Sequence, residues 1–395
     1  MSETCIDAVV IGAGPAGALA ARGLALQGHS VWLVDKQSFP RPKVCGCCLN
    51  QYAITSLERV GITGLVERLG GRPLERLHMI AGGRSADVPL PRGVSLSRGA
   101  LDGALIEAAK LAGADFIDGV SAKVQTLGGT AEEGHRVSLG SGNSVVARVL
   151  VIADGLGGSS LSAVEGYRVE TAPASRIGLG GVTRSPVTQP TIPRGTIAMA
   201  CGQDGYLGVV ELEDGRLDFA AAIDAAAIKQ AGGIAQAARR LVEQSGLGDH
   251  DWPMDDVERW RATPALTRTR KRIAGPGLFV VGDAAGYVEP FTGEGMAWAI
   301  AGGSAVSEVA SEAVQKWDTS QEIRWVERHR ARIRNRQAGC KLVAATLRRP
   351  WLTRVVVRSL SAWPGIANPL VRRIAAPATA SDPAPTPYTR EGSFA

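Results

Sequence analysis

Apolar positions change period along the chain, and the changes mark its elements. Residues 5–11 (CIDAVVI) are a short β-branched run that reads as a buried strand, and GAGPAG follows as a turn. ALAARGLALQGHS then carries apolar residues at helical spacing, and VWLVD returns to the compact pattern of a strand. Strand, glycine-rich turn, helix and strand in that order predict a βαβ unit. A second helix is predicted over 99–113, leading into short strands that end at VLVIADG. Residues 176–224 read as two or three strands, including TIAMA and YLGVVELEDGRLDFAAAID, with Glu213, Asp214, Gly215 and Arg216 as a hairpin turn. The Ala-rich stretch 225–246 predicts a helix. GLFVVGDAAGY reads as a buried strand ending in a Gly-Asp turn, and GEGMAWAIAGGSAVSEVASEAV as a helix with small residues on one face. Arg-rich helices are expected beyond 318, and 377–395 is a Pro, Ser, Thr and Ala tail of the kind expected to be disordered. No internal repeat interrupts this order.

A chain of 395 residues allows two or three domains and a large buried core. Its 49 glycines are about 12% of the chain against a usual ~7%, which asks where the backbone must approach something closely. Lys and Arg number 44 against 38 Asp and Glu, a net of +6, and no nucleic-acid-binding motif accompanies it, so no nucleic-acid partner is expected. The charge is local: residues 321–376 hold thirteen Lys and Arg against Glu322 and Glu327, leaving the rest of the chain at −5. Arg328, Arg330, Arg332, Arg334 and Arg336 alternate and so spread around a helix. Trp351, Leu352, Val355, Val356, Leu360 and Trp363 recur at helical spacing, with Arg348, Arg349, Arg354 and Arg358 between them. Two readings stand side by side: a basic amphipathic helix on an anionic membrane surface, and a helical lid packed on the body. No apolar run of 18 residues and no signal peptide is present, so a cytoplasmic protein is expected, at most peripheral to the inner face of a membrane. Six cysteines at 5, 45, 47, 48, 201 and 340 are too few and too clustered for a disulfide framework.

Candidate chemistry begins in the first turn. Gly12, Gly14 and Gly17 form G-x-G-x-x-G, which permits a tight turn, close approach of a pyrophosphate and close helix–strand packing. The helix N-terminus offers its N–H groups to the phosphates. Asp35 ends the next strand, 18 residues beyond Gly17, where a carboxylate accepts both hydroxyls of an adenosine ribose and disfavours a 2′-phosphate. FAD or NAD is therefore expected rather than NADP. A second turn favours the flavin: Asp283 ends a strand where it can bind ribityl hydroxyls, and Gly293, Glu294, Gly295 and Met296 open a helix whose amides can stabilise charge on a reduced isoalloxazine.

Taken together, GAGPAG with Asp35, SLSRGALDGALIEAA with Arg98, VIADG with Asp154 and GDAAGYVEPFTGEGM resemble the FAD-dependent oxidoreductases of the p-hydroxybenzoate hydroxylase-like superfamily. RPKVCGCCL narrows the resemblance to the geranylgeranyl reductase-like branch, over about residues 5 to 310. It implies an α/β fold: a Rossmann-like FAD-binding domain (1–75, 96–172 and 265–315) interrupted by an antiparallel β-sheet substrate domain (76–95 and 173–264), with C-terminal helices over 316–376. Arg98 would then contact the FAD, Asp154 and Gly155 would form a turn beside the flavin domain, and Asp283 would bind the ribityl or phosphate region. Gly295 and Met296 would meet the ring by backbone. Pro15, Ala16, Lys36, Cys45, Gly46, Ala122, Pro290 and Gly293 complete the cofactor-binding set the resemblance implies.

Cys45 sits where the reductase branch carries a Lys-x-Cys-Gly element beside the flavin. A thiol there can give a proton to a substrate carbon after hydride delivery, or it can simply pack in a Gly-hinged loop. Lys43 can orient an acidic group or lie exposed, and Glu294 can shuttle a proton or cap its helix. Tyr206 falls near the branch's Tyr-x-Trp-x-aromatic-Pro element, of which only the Tyr is present. The Trp-x-Trp-x-Ile-Pro element of flavin-dependent halogenases is absent. No metal is expected, because C-x-C-C has no matching pair and His29, His78, His135, His250 and His329 are scattered. Three functions remain in view. The first is hydride transfer to a hydrophobic lipid- or polyketide-like substrate, reducing a carbon–carbon double bond with electrons from reduced nicotinamide or another donor. The second is aromatic hydroxylation with oxygen, and the third is electron carriage without an organic substrate.

Overall fold

Cys5–Ile11 lies at the centre of an eight-stranded sheet in the computed structural model, which describes residues 5–371 apart from 141, 190, 247–251, 290, 292 and 370. Val31–Val34 and Asn143–Ile152 flank it in parallel, Asp115–Ile117 and Leu278–Val280 extend the parallel set, and a hairpin of Ala122–Thr126 and His135–Leu139 closes one side. Helix Pro15–Leu26 makes the crossover of the βαβ unit, beginning on Gly14 with proline in its first turn, where a missing N–H costs nothing. Its neighbour is the helix Glu294–Gln315, whose small residues face it: Gly303 lies against the Ala16 carbonyl and Ser307 against Gly23.

A second eight-stranded sheet stands beside the first, in the order Arg261–Ala265, Ile177–Val182, Leu217–Ile223, Gly205–Glu211, Thr196–Cys201, Arg72–Ala81, Arg84–Ser95 and Cys48–Asn50. Its pairings are antiparallel except for Thr196–Cys201 on Arg72–Ala81, which is parallel. The sheet begins at Arg72 rather than 76, and it recruits Cys48–Asn50 from the segment assigned to the FAD-binding domain, because that strand pairs with Gly93–Ser95. Strand alternation sorts the side chains between two cores. Ile197, Met199 and Tyr206 face one core, while Ala198, Ala200, Leu207 and Val209 face the other.

The helix expected over 225–246 is two, Ala225–Gln230 and Ile234–Gln244, parted by Gly232 at φ +80° and Gly233 at φ +156°, which no continuing helix tolerates. Beyond 318, Thr319–His329 starts with an Asp318 and Gln321 capping box, Arg330–Arg334 is a π-helical turn, and Asn335–Leu347 and Pro350–Ala362 follow. These last helices cover the Tyr206 face of the second sheet. The apolar residues of 351–363 do not share one face. Thr353, Val357 and Leu360 are buried, whereas Trp351, Val355 and Trp363 are exposed. The tail 377–395 lies outside the described residues. Among the described residues no helix is long and apolar enough to cross a membrane.

Candidate active site

A cavity of about 420 Å3 opens at the carboxyl ends of the parallel strands, between the two sheets. In open α/β sheets this is where ligands bind. Gly12 and Gly17 lie under its floor. Gly12 has φ +106°, and a Cβ there would fall 2.4 Å from the Ala153 carbonyl oxygen; at Gly17 it would fall 1.7 Å from the Gly12 carbonyl oxygen. The turn therefore closes strand onto helix only without side chains, and it leaves Gly14, Pro15 and Ala16 on the cavity wall.

Asp35 Oδ2 accepts the Ala13 N–H at 2.8 Å and its Oδ1 accepts the Gln37 N–H at 2.9 Å, so the carboxylate that lines the cavity also fixes the turn beside it. Lys36 stands next to it on the wall. Arg41, which sequence reasoning passed over, lies 3.9 Å from both Asp35 and Asp102. Its Nε is buried with no protein partner. Arg98 opens the helix Arg98–Leu111 and grips Asp102, one turn on, with two bonds of 2.8 and 2.7 Å. Burial opposes its charge, but Asp102 and the Cys45 thiolate hold the guanidinium protonated, its pKa raised. Asp154 lines the cavity and turns its Oδ2 onto Ser160, accepting from its N–H at 3.0 Å and its hydroxyl at 2.6 Å. Asp283 sits on the opposite wall, 3.9 Å from Lys43. A side-chain-free cradle, helix N-terminal amides and an unpartnered guanidinium nitrogen suit a dinucleotide with a diphosphate.

The CGCC segment forms the junction with the second sheet. Cys47 adopts φ +48°, a conformation rare for a residue with a side chain, and its carbonyl accepts the Leu96 N–H at 2.9 Å. Cys48 Sγ donates to the Gly46 carbonyl at 2.9 Å. Gly293 at φ +73° presses on this segment, since a Cβ there would sit 3.0 Å from Cys48 Cβ. Gly46, Gly293, Gly295 and Met296 all line the cavity, and Pro290 lies outside the described residues. Ala122 does not line it: paired with Leu139 in the hairpin, it turns into the first core.

Cys45 is held largely as a thiolate, its pKa brought down to about 6 by a hydrogen bond from Cys47, against the effect of burial and with help from the Arg98 charge. Asp218, another cavity residue with no sequence signal, is pushed well up by burial and then by the Cys45 charge, which favours its protonated form. Cys47 bridges the two, interacting with Cys45 on one side and Asp218 on the other. Glu294 neither caps its helix nor faces bulk water; it is buried and bound by the Cys340 thiol.

Tyr206 is buried on the cavity wall, edge-on to Phe291 at 5.1 Å. Behind it lies a charge cluster that no motif announced. Arg176 and Glu289, both buried, pair at 3.2 Å, Arg348 from the C-terminal helices reaches Glu289 at 3.2 Å, and Arg176 meets Asp224 at 3.3 Å. A second cavity, about 280 Å3 and almost wholly apolar, runs between the second sheet and the C-terminal helices. Leu74, Leu77, Met79, Val356 and Leu360 are among its walls, and it shares Cys48, Ile197 and Phe291 with the first cavity. All six cysteines are free thiols, and among the described residues no three His, Cys, Asp or Glu side chains cluster to hold a metal.

Comparison with known proteins gives matching results. Residues 5–315 match a family model described as an FAD binding domain. Menaquinone reductase of Mycolicibacterium smegmatis is 28% identical over 329 residues, 78% of this chain and 76% of the relative. Digeranylgeranylglycerophospholipid reductase 1 of Methanosphaera stadtmanae is 26% identical, with 80% and 77% covered. Among solved structures, PqsL, a probable FAD-dependent monooxygenase from Pseudomonas aeruginosa, superposes with a TM-score of 0.71 at 20% identity, covering 89% of this chain and 99% of that one. The flavin-dependent brominase Bmp2 gives 0.74 at 16% identity, covering 97% and 96%.

Proposed function

Because the chain belongs to the FAD-binding family and is an FAD-dependent oxidoreductase, we propose that it reduces a carbon–carbon double bond in a hydrophobic, lipid-like substrate. The observation that carries the reading is the apolar cavity that adjoins the cofactor cavity, with Cys48, Ile197 and Phe291 as walls of both. A hydrocarbon chain is the ligand such walls stabilise, since no polar ligand would recover there the hydrogen bonds it leaves in water. The reductase names of the relatives, which act on menaquinone and on a digeranylgeranyl lipid, support an unsaturated isoprenoid chain as the substrate class.

In this reading Asp35, Arg41, Lys43 and Asp283 would hold the FAD, with Arg98 on the same wall beside Cys45. FAD held there and reduced by nicotinamide or another donor would supply the hydride for one alkene carbon. A proton must reach the other carbon. The Asp218 carboxyl, whose protonated form burial favours, holds it, and a shift through the Cys47 thiol to Cys45 Sγ protonates the thiolate that faces the cavity. Cys45 Sγ gives that proton to the second carbon and returns to the thiolate, while Asp218, left as the carboxylate, is reprotonated from solvent, so each turnover adds one hydride and one proton to the substrate. Phe291, a wall of both cavities, and Tyr206, edge-on to it, give the cofactor cavity an apolar side that disfavours water next to the reacting carbons.

The test is anaerobic: dithionite-reduced holoenzyme is mixed with a menaquinone, and the product is weighed by mass spectrometry. A gain of two hydrogens in the isoprenoid side chain, weighed after the quinone ring has been reoxidised in air, is expected from a reaction run without oxygen. Addition of one oxygen atom, only in air, would make the protein a hydroxylase. Reoxidation solely by protein or quinone acceptors, with the side chain of the lipid unchanged, would make it an electron carrier.

A further inference from the structure

We propose that the outward face of the C-terminal helices docks on an anionic lipid bilayer, the surface from which a lipid-like substrate reaches the apolar cavity; this deepens the reading above and rests on it for the substrate. Pro350–Ala362 is apolar on two opposite sides. Thr353, Val357 and Leu360 recur at helical spacing and point into the protein, where they are buried. Trp351 and Val355 share the opposite side and are 63% and 51% exposed. Trp363 and Ile366, just past the helix end, add 68% and 58% exposed apolar surface. Single exposed apolar residues are ordinary, but four between positions 351 and 366, two of them tryptophans, mark an interaction surface.

Charge identifies the occupant. Arg354 and Arg358 flank the apolar side and are exposed, and no acidic residue occurs anywhere between Arg328 and Val371. A basic rim around tryptophan and aliphatic side chains complements an anionic headgroup layer over hydrocarbon, because the rings settle at the interface while the guanidinium groups reach the phosphates. The position of the cavity fits the same occupant. Leu342 lines the apolar cavity and is itself 69% exposed, so the cavity approaches the surface on the C-terminal helices that carry this face.

The experiment is sedimentation of the FAD-loaded protein with vesicles of equimolar phosphatidylglycerol and phosphatidylcholine, and with vesicles of pure phosphatidylcholine. Binding to the anionic vesicles, weakened by salt, is expected. R354Q/R358Q should bind on the order of thirty-fold more weakly, and W351S/W363S should lose the quenching of tryptophan fluorescence by brominated lipid. Both variants should keep wild-type flavin absorbance and thermal midpoint, which separates lost docking from lost folding. Equal binding to both vesicle types, no binding to either, or wild-type binding by both variants would overturn the proposal. So would a solution dimer that W351S/W363S splits, since the face would then be covered by a second copy. Turnover of a detergent-dispersed menaquinone is measured in parallel: reduction without vesicle binding refutes docking alone, and vesicle binding without reduction upholds docking while refuting the assigned reaction.

Discussion

Cys47 controls the ionisation of Cys45, and removing it gives a sharp test of the active-site electrostatics. The Cys45 thiol falls from the ordinary 9.0 to about 6, with the Cys47 hydrogen bond as the largest cause. At pH 7 a group with that pKa is about nine-tenths thiolate. A hydrogen bond to a charged acceptor contributes about 1.5–3 kcal/mol, or roughly one to two pKa units, so Cys47→Ala should move the midpoint to about 7–8. Cys47→Ser keeps a donor and should stay near the wild-type value. The assay is the pH profile of alkylation of Cys45 by iodoacetamide, followed by peptide mass spectrometry on protein stripped of flavin, in a Cys5→Ser background because Cys5 is exposed. The midpoint is the readout rather than the rate, since a more basic thiolate is also the better nucleophile. A wild-type midpoint above about 8, or a Cys47→Ala midpoint equal to wild type, would refute the arrangement and with it the relay from Asp218.

Two further outcomes concern stability. Glu289→Gln leaves Arg176 buried with its main partner neutralised, and a loss of about 3–5 kcal/mol in urea unfolding is expected, largely recovered in Arg176→Met/Glu289→Leu, where no charge is stranded. His329 is buried edge-on to Trp325, and burial lowers its pKa to about 4 from 6.5. The folded form then resists a proton that the unfolded chain accepts, so stability is full above pH 6.5 and is lost as pH falls toward 4. From pH 7 to pH 5 this histidine should contribute a loss of about 2 kcal/mol, absent in His329→Leu; equal slopes for the two proteins would contradict it.

Local patterns made the nucleotide end of the site legible. Gly12, Gly14 and Gly17 followed by Asp35 depend on neighbours within one βαβ unit, so spacing along the chain is spacing in space. The helix break at Gly232 and Gly233 was also written in the chain, as two adjacent glycines inside an Ala-rich run. The other half of the site is assembled by pairing between distant strands. Asp218 lies in LDFAAAI, a strand like its neighbours until Phe219 turns to one core and Asp218 to the cysteines. Arg176, Glu289 and Arg348 come from three remote segments and carry no shared periodicity. On the last helix, spacing located the apolar residues but could not say that they divide into an inward and an outward set, because that depends on which side the second sheet occupies.

The two cavities are completed at different points along the chain. Every described wall of the cofactor cavity comes from residues up to Ala299, whereas the apolar cavity takes part of its wall from Leu342 to Val371. A polypeptide emerging from its N-terminus therefore possesses the whole FAD cradle while the adjoining hydrocarbon passage still lacks one side. The cofactor can be taken up by this unfinished body, and the last helices then seal the passage, with Arg348 closing on Glu289 behind Tyr206. Biosynthetic order thus lets prosthetic-group loading precede the closure that completes the lipid-sized space.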